Sequence, residues 1–292
     1  MKLQSALEYL STHIWAILII AIIFISLYGL GLFNSNSYAP KASPGACTVQ
    51  RGYDTQPTLA GQCLNDMPEF VEYFQGGAGA NVALPDPKLY WGDSNSFTVN
   101  LWTDYFNSNV NFQSAAVKGS SVLVFAIFQH GNCCAPYVQA IEYTGIGRVW
   151  RLSSSIPPTP NTWQDWTFTW ATASTSNTMD IYLNGQLIAT GGGGIQKDVG
   201  GSFLIGNNGW VSTGVSPMYI SNFQFYSTAL SANSVQALYQ EGIGGSPIDL
   251  QDLIGWWPLN GDNKDYSGYV NNGNPSTGTS FIGDWWQSSA YT

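Results

Sequence analysis

Four cysteines, one acidic loop and a set of tryptophans are the residues of this chain best suited to chemistry or to holding a ligand. Cys47, Cys63, Cys133 and Cys134 include no C-x-x-C pair, and His13 and His130 are not spaced as zinc partners. A metal cluster is therefore not expected. Neither imidazole has a Ser or Cys partner in sequence that would suggest nucleophilic catalysis. All four cysteines follow the apolar N-terminal run, and an even count there reads as two disulfides with three possible connectivities. Because a Cys133–Cys134 bridge closes a strained ring between adjacent residues, Cys47 and Cys63 are each expected to reach back to the Cys133/Cys134 pair. Each bridge would be worth about 2–4 kcal/mol. The loop GDNKDYSGYVNN offers the hard oxygens of Asp262, Asp265 and Asn271 to a structural calcium, and an Asx-rich turn explains the same residues equally well. No cofactor is required beyond that ion. Among the tryptophans, Trp91, Trp210 and Trp285 are the candidates for stacking on sugar rings. Like Trp150, Trp163 and Trp286 they lie near turn-like segments, whereas Trp102, Trp166, Trp170, Trp256 and Trp257 sit in strand-like runs and read as core.

Composition limits what such residues serve. Of 292 residues only 9% are charged, well below the roughly 25% of an ordinary soluble domain. With 18 acidic against 9 basic side chains the net charge is -9, which excludes nucleic acid as a natural partner. Hydrophobic residues at 44% and aromatics at 14% exclude disorder. The surface must consist of Asn, Ser, Thr, Gln, Gly and Tyr, which suits a secreted all-β protein.

The elements that must position these residues are legible from about residue 67 onward. FTVNLWT, VLVFAIF, YVQAIEY, RVWRLS, WTFTW, MDIYL, QLIAT, SFLIG and MYISNFQFY have strand composition. Asn184-Gly185 marks a two-residue hairpin turn. Gly191 to Gly194 read as a flexible loop, and SANSVQALYQEG as one helix with Ser231 as N-cap and Gly242 as stop. Many strands and one late helix predict a two-sheet sandwich or jelly roll over residues 67–292. Residues 36–66, rich in Pro, Gly, Ser and Asn, read as a linker or stalk. Before it, Ile14 to Phe33 form twenty uncharged residues. As a helix they would span roughly 30 Å, the thickness of a bilayer's hydrocarbon core.

A plain membrane anchor has no use for Glu8, a carboxylate at the edge of that apolar run. The string QSALEYL, followed by WAILIIAI and LYGLGLF, resembles the class III signal segment of archaeal type IV pilin-like subunits. That resemblance implies a leader at residues 1–3, cut by a prepilin peptidase between Leu3 and Gln4, and a hydrophobic pilin helix over 4–35. It also implies that Glu8 neutralises the terminal amine of a neighbouring copy during assembly. Leu3 departs from the family, which usually has a small residue before the cut.

WQDWTFTW, MDIYLNGQLIAT, FLIGNN and YISNFQFYSTALSANSVQALYQEG, in that order, resemble the concanavalin A-like laminin G sandwich. The segment GWWPLNGDNKDYSGYVNNGNP resembles the one that normally opens such a domain but stands here at its end, which implies a circular permutation. Members that hydrolyse glycans carry an E-x-D-x-x-E string. The five glutamates here (Glu8, Glu69, Glu72, Glu142 and Glu241) form none, so catalysis is not expected. The expectation is a homopolymeric extracellular filament, its subunits inserted in the cytoplasmic membrane before assembly, with sandwiches displayed for adhesion or glycan binding. A membrane-anchored monomeric lectin is the alternative. No Asn opens a usable N-x-S/T acceptor, since Asn274-Pro275-Ser276 is closed by its proline, so a surface free of N-linked sugar is expected.

Overall fold

The computed structural model describes residues 2–29, 39–53, 56–64, 66–76, 79–85, 96–106, 112–118, 122–128, 137–143, 149–154, 156–172, 177–193, 203–206 and 217–288. Two units result: one is Met1–Pro40 with Trp286–Thr292, the other Lys41–Trp285.

The first unit carries helix α1 (Lys2–Gly29). Ile17, Leu18, Ile19 and Ile20 are all exposed in succession, so this helix is apolar on every side rather than along one stripe. Among the described residues no helix is long and apolar enough to cross a membrane. The helix expected over 4–35 is present from Lys2 to Gly29, and its reading as a membrane span finds no support among the described residues. The side chains of Leu3, Gln4 and Glu8, and the continuation of the apolar run to Phe33, lie outside the described residues.

The second unit is the sandwich. Its elements in order are β1 (Lys41–Ala42), β2 (Cys47–Gln50), β3 (Thr58–Gly61), β4 (Met67–Pro68), β5 (Phe70–Phe74), β6 (Asn81–Leu84), β7 (Phe97–Tyr105) and β8 (Phe112–Lys118). They continue as β9 (Val122–Phe128), β10 (Tyr137–Tyr143), β11 (Val149–Ser153), β12 (Gln164–Ala171), β13 (Asn177–Leu183), β14 (Gln186–Gly193), β15 (Phe203–Gly206) and β16 (Met218–Tyr226). Helix α2 (Ala232–Glu241) and strands β17 (Leu253–Trp257), β18 (Asn274–Pro275) and β19 (Thr279–Gly283) complete the unit. One sheet runs β11-β10-β9-β8-β15-β6-β18; the other runs β14-β13-β12-β7-β16-β5-β19, with β17 also paired to β16.

Strand β7 shows how alternation builds two layers on one sheet. Phe97, Val99, Leu101 and Tyr105 join Trp166, Phe168 and Trp170 of β12 and Val82, Leu84, Phe203 and Ile205 of the other sheet in the main core. The opposite face presents Thr98, Asn100, Trp102 and Asp104. Part of that outer face is covered by a second cluster, in which Tyr226 packs with Leu230, Val235, Leu238, Leu253, Trp256 and Val49. Trp102 stacks on Tyr239 of α2, with ring centroids 5.8 Å apart. Ser231 caps α2 by accepting the Ser234 N–H, and Gly242 ends it at φ 79°. Asn184 and Gly185 turn β13 into β14 at φ 50° and 75°, as expected of a tight hairpin.

Three expectations are corrected here. Gly191, Gly192 and Gly193 are not a loop: they extend β14, opposite Met179, Thr178 and Asn177. The stretch read as a stalk is folded from Lys41 onward, since β1 pairs with β4 and Val49 donates to the Tyr266 carbonyl at 2.8 Å. Arg51 fixes the same stretch by donating to the carbonyls of Ser267, Leu250 and Leu253, with its guanidinium over the Tyr269 ring. The cysteines differ most. Cys47 and Cys63 bond to each other, Cα atoms 4.8 Å apart, because the β2–β3 hairpin pairs Cys47 with Gly61, two residues from Cys63. Neither is therefore left to reach Cys133 or Cys134, which lie outside the described residues.

Candidate functional site

Beyond the part covered by α2, the outer face of the larger sheet carries a row of side chains that crosses three strands. Asp104 of β7 stands opposite Tyr219 of β16, and Tyr219 stands opposite Tyr73 of β5. Residues paired across adjacent strands point to the same side, so this register alone sets a carboxylate beside two phenols. Two further rings come from the segments flanking β7 and β12. Phe106 meets Tyr219 edge-on at 5.0 Å and Tyr73 at 6.4 Å, while Trp163 lies nearly parallel to Tyr219 at 6.2 Å. Tyr73 and Tyr219 are 5.5 Å apart. Trp285 closes the group, edge-on to Trp163 at 5.2 Å and donating from Nε1 to the Pro68 carbonyl. Tyr73, Phe106, Trp163 and Tyr219 are half-buried, so each leaves part of its ring in water, whereas Trp285 is buried.

The segment leading into β12 is held rigid. Pro157, Pro158 and Pro160 restrict its backbone. The Tyr105 hydroxyl donates to the Pro158 carbonyl at 3.0 Å, the Asn161 N–H donates to the Tyr105 carbonyl at 2.9 Å, and the Gln164 Oε1 accepts the Thr159 N–H at 2.8 Å. These bonds place Trp163 over Tyr219 and aim the Thr162 N–H at the Asp104 carboxylate. Asp104 is 4% exposed, and no donor among the described residues reaches its Oδ1. Burial pushes its pKa up to about 6, against the lowering effect of the Thr162 N–H.

Two more carboxylates are buried, each with its own neutral partners. Asp165 accepts from Asn100 Nδ2 at 2.6 Å, and burial pushes it up to about 7. Glu72 accepts from Asn263 Nδ2 at 2.7 Å, and burial pushes it to about 7 as well. These carboxylates pair with amide, hydroxyl or main-chain donors rather than with one another.

Of the residues singled out from the sequence for sugar stacking, Trp285 belongs to the aromatic group, while Trp91 and Trp210 lie outside the described residues. The acidic loop uses its oxygens locally. Asp265 accepts the N–H groups of Trp256, Ser267 and Asn271. Asp262 accepts the Tyr266 hydroxyl and the Lys264 ammonium. The Asn271 amide donates to the Ile254 carbonyl. Oxygens engaged by N–H donors in this way are those of an Asx-rich turn, and no group of three or more His, Cys, Asp or Glu able to hold a metal occurs among the described residues. Tyr73, Phe106, Tyr219 and Asp104 were missed as site residues. The only sequence signal for them was the alternation in FTVNLWTDY, which places Asp104 on the non-core face.

No curated protein matches the sequence. Among solved structures, a Bacteroides ovatus protein provisionally named as carbohydrate binding superposes with a TM-score of 0.53 at 16% identity, over 80% of this chain and 64% of its own. A heptameric SAP-like pentraxin from Limulus polyphemus gives 0.48 at 14% identity, over 74% and 97%. The receptor binding domain of botulinum neurotoxin D gives 0.46 at 12%, over 68% and 53%. The chain thus spans less than two thirds of the Bacteroides protein's length, and at 16% identity its likeness to that protein is one of fold. Residues 75–236 match the laminin G model of one family over more than half of the chain, and the chain accordingly belongs to the concanavalin A-like lectin/glucanases superfamily.

Proposed function

We propose that this chain is a non-enzymatic carbohydrate-binding subunit whose sandwich takes a saccharide on the aromatic face formed by Tyr73, Phe106, Trp163 and Tyr219. The observation that carries this reading is the clustering of four half-buried rings on the outer face of the larger sheet, each leaving part of its surface in water. Sugar rings have apolar faces that stack on aromatic side chains, and a platform of this kind needs no metal. The Bacteroides protein of similar fold, provisionally named for the same activity, supports it.

The same reading assigns α1 to self-assembly. Exposed apolar side chains on every side of the helix need several neighbours, which copies of the same helix would supply in a bundle. QSALEYL and Glu8 make this an archaeal type IV pilus-like filament subunit, processed at Gln4, with the sandwich displayed outside. Recovery of the native protein as detergent-extracted monomers, or filaments formed unchanged by Glu8→Ala, would instead favour the membrane-anchored lectin.

Screening the full-length chain against immobilised oligosaccharides tests the site. Binding should occur and should weaken at least tenfold, about 1.4 kcal/mol, in both Trp163→Ala and Tyr219→Ala. Binding that both variants retain would place the sugar elsewhere.

A further inference from the structure

We propose that the aromatic face is gated by a proton on Asp104, holding a saccharide under mildly acidic conditions and releasing it as the pH rises. This rests on the carbohydrate-binding reading of the same face and adds its regulation.

The geometry couples the carboxylate to the rings. Asp104 lies in one cross-strand row with Tyr219 and Tyr73, and the donor that reaches its carboxylate is the N–H of Thr162, the residue before Trp163. Whatever happens to that hydrogen bond is therefore passed to the ring that packs over Tyr219. With the proton on, the carboxyl is neutral and its buried Oδ1 is tolerated without a partner. With the proton off, a full charge sits in a dry place with one N–H to hold it. Such a charge is stable only if water enters or the neighbouring chain moves.

The surroundings do not supply a counter-charge. β16 and β5 face Asp104 with the phenols of Tyr219 and Tyr73, and the segment before β12 with Thr162 and Trp163, which do not titrate. On β12, Asp165 stands opposite Trp102, two residues along β7, and its carboxylate is engaged by Asn100 and Thr167. Glu72 lies beside Tyr73 on β5, on the core side of the sheet. Near Trp285, Lys41 and Asp284 interact with each other. No ion pair to Asp104 occurs among the described residues, so beyond the Thr162 N–H its charge has only hydration to relieve it. Burial already brings its titration to about pH 6, where a modest change in acidity acts on it.

The test uses the full-length chain with two neutral probes, cellohexaose and maltohexaose, together with the best oligosaccharide from the screen. Affinity is measured from pH 4.5 to 8, alongside the fluorescence difference between wild type and Trp163→Phe without ligand. Wild-type affinity should fall about tenfold per pH unit above pH 6, and the Trp163 signal should change with a midpoint near 6. Asp104→Asn is neutral at every pH and close in shape, so it should bind as the acidic wild type does and flatten both profiles. Equal wild-type affinity at pH 5 and 7.5, or a slope retained in Asp104→Asn, overturns the gate alone. Absence of binding to any saccharide at any pH overturns the carbohydrate-binding reading, and the gate with it.

Discussion

Raising the pH from 4.5 to 8 should weaken this fold, and Glu72 is the residue best placed to show why. Its side chain is 0% exposed and sits among the strands of the sandwich, receiving the Asn263 amide at 2.7 Å. Burial, only partly offset by Asn263 and Thr279, raises its pKa from 4.5 to about 7. In the unfolded chain the group loses its proton near 4.5, so between the two values the folded state binds more protons than the unfolded one. Stability must then fall with rising pH across that window. At 1.36 kcal/mol per unit, a displacement of some 2.5 units corresponds to about 3 kcal/mol, absent below pH 4.5 and fully felt above pH 7. Asp165 and Asp104, both raised by burial, act in the same direction. Glu72→Gln keeps the shape and an acceptor for Asn263 but cannot ionise. Urea unfolding of the full-length chain at pH 4.5, 6 and 8 should give nearly equal stability for variant and wild type at pH 4.5. At pH 8 the variant should be more stable by about 3 kcal/mol. A wild-type stability that rises with pH, or a variant with the full wild-type slope, refutes the reasoning.

Other perturbations follow from the same packing. Reducing the Cys47–Cys63 bridge, which spans 16 residues, should cost about 3 kcal/mol; non-reduced peptide mapping must recover the Cys47–Cys63 pair for this to stand. Arg51→Ala strips charged donors from three carbonyls and removes the contact with Tyr269. The loss should be about 3 kcal/mol in urea unfolding, and a change below 1 kcal/mol would mean that water replaces the guanidinium freely. Intact-mass measurement should find no hexose-sized addition on any Asn-containing peptide.

What the sequence discloses depends on how local the determining contacts are. The nine strand-like runs and α2 announce themselves because alternation, the Asn184-Gly185 turn and the Ser231 and Gly242 caps act within a few residues. Strands β1 to β4 are too short for a period to emerge, and the β2–β3 hairpin is held by the Cys47–Cys63 bridge and by contacts of Val49 and Arg51 with residues two hundred or so positions later. Gly191 to Gly193 look like a loop because glycine lacks strand propensity, yet β13 supplies them with partners. The aromatic face draws Tyr73, Phe106, Trp163, Tyr219 and Trp285 from five distant segments. Of these only Trp285 stands out in its local sequence, and the other four are brought together by the register of β5, β7 and β16 and the segments flanking β7 and β12.

The placement of β17 and β19 bears on how the protein is made. Strand β5 leaves the ribosome early, yet one of its two neighbours, β19, lies about two hundred residues later, where Ser280 pairs with Tyr73 and Ile282 with Val71. β17, likewise late, lies beside β16. Until residue 283 has emerged, the nascent sandwich holds an unpaired edge at β5, and Glu72 lacks both Asn263 and Thr279. Pairings across so great a separation are slow to form, and open edges invite pairing with other chains. Until β19 is in place, the free side of β5 is therefore open to pairing with other chains, and the late strand sets how long that exposure lasts.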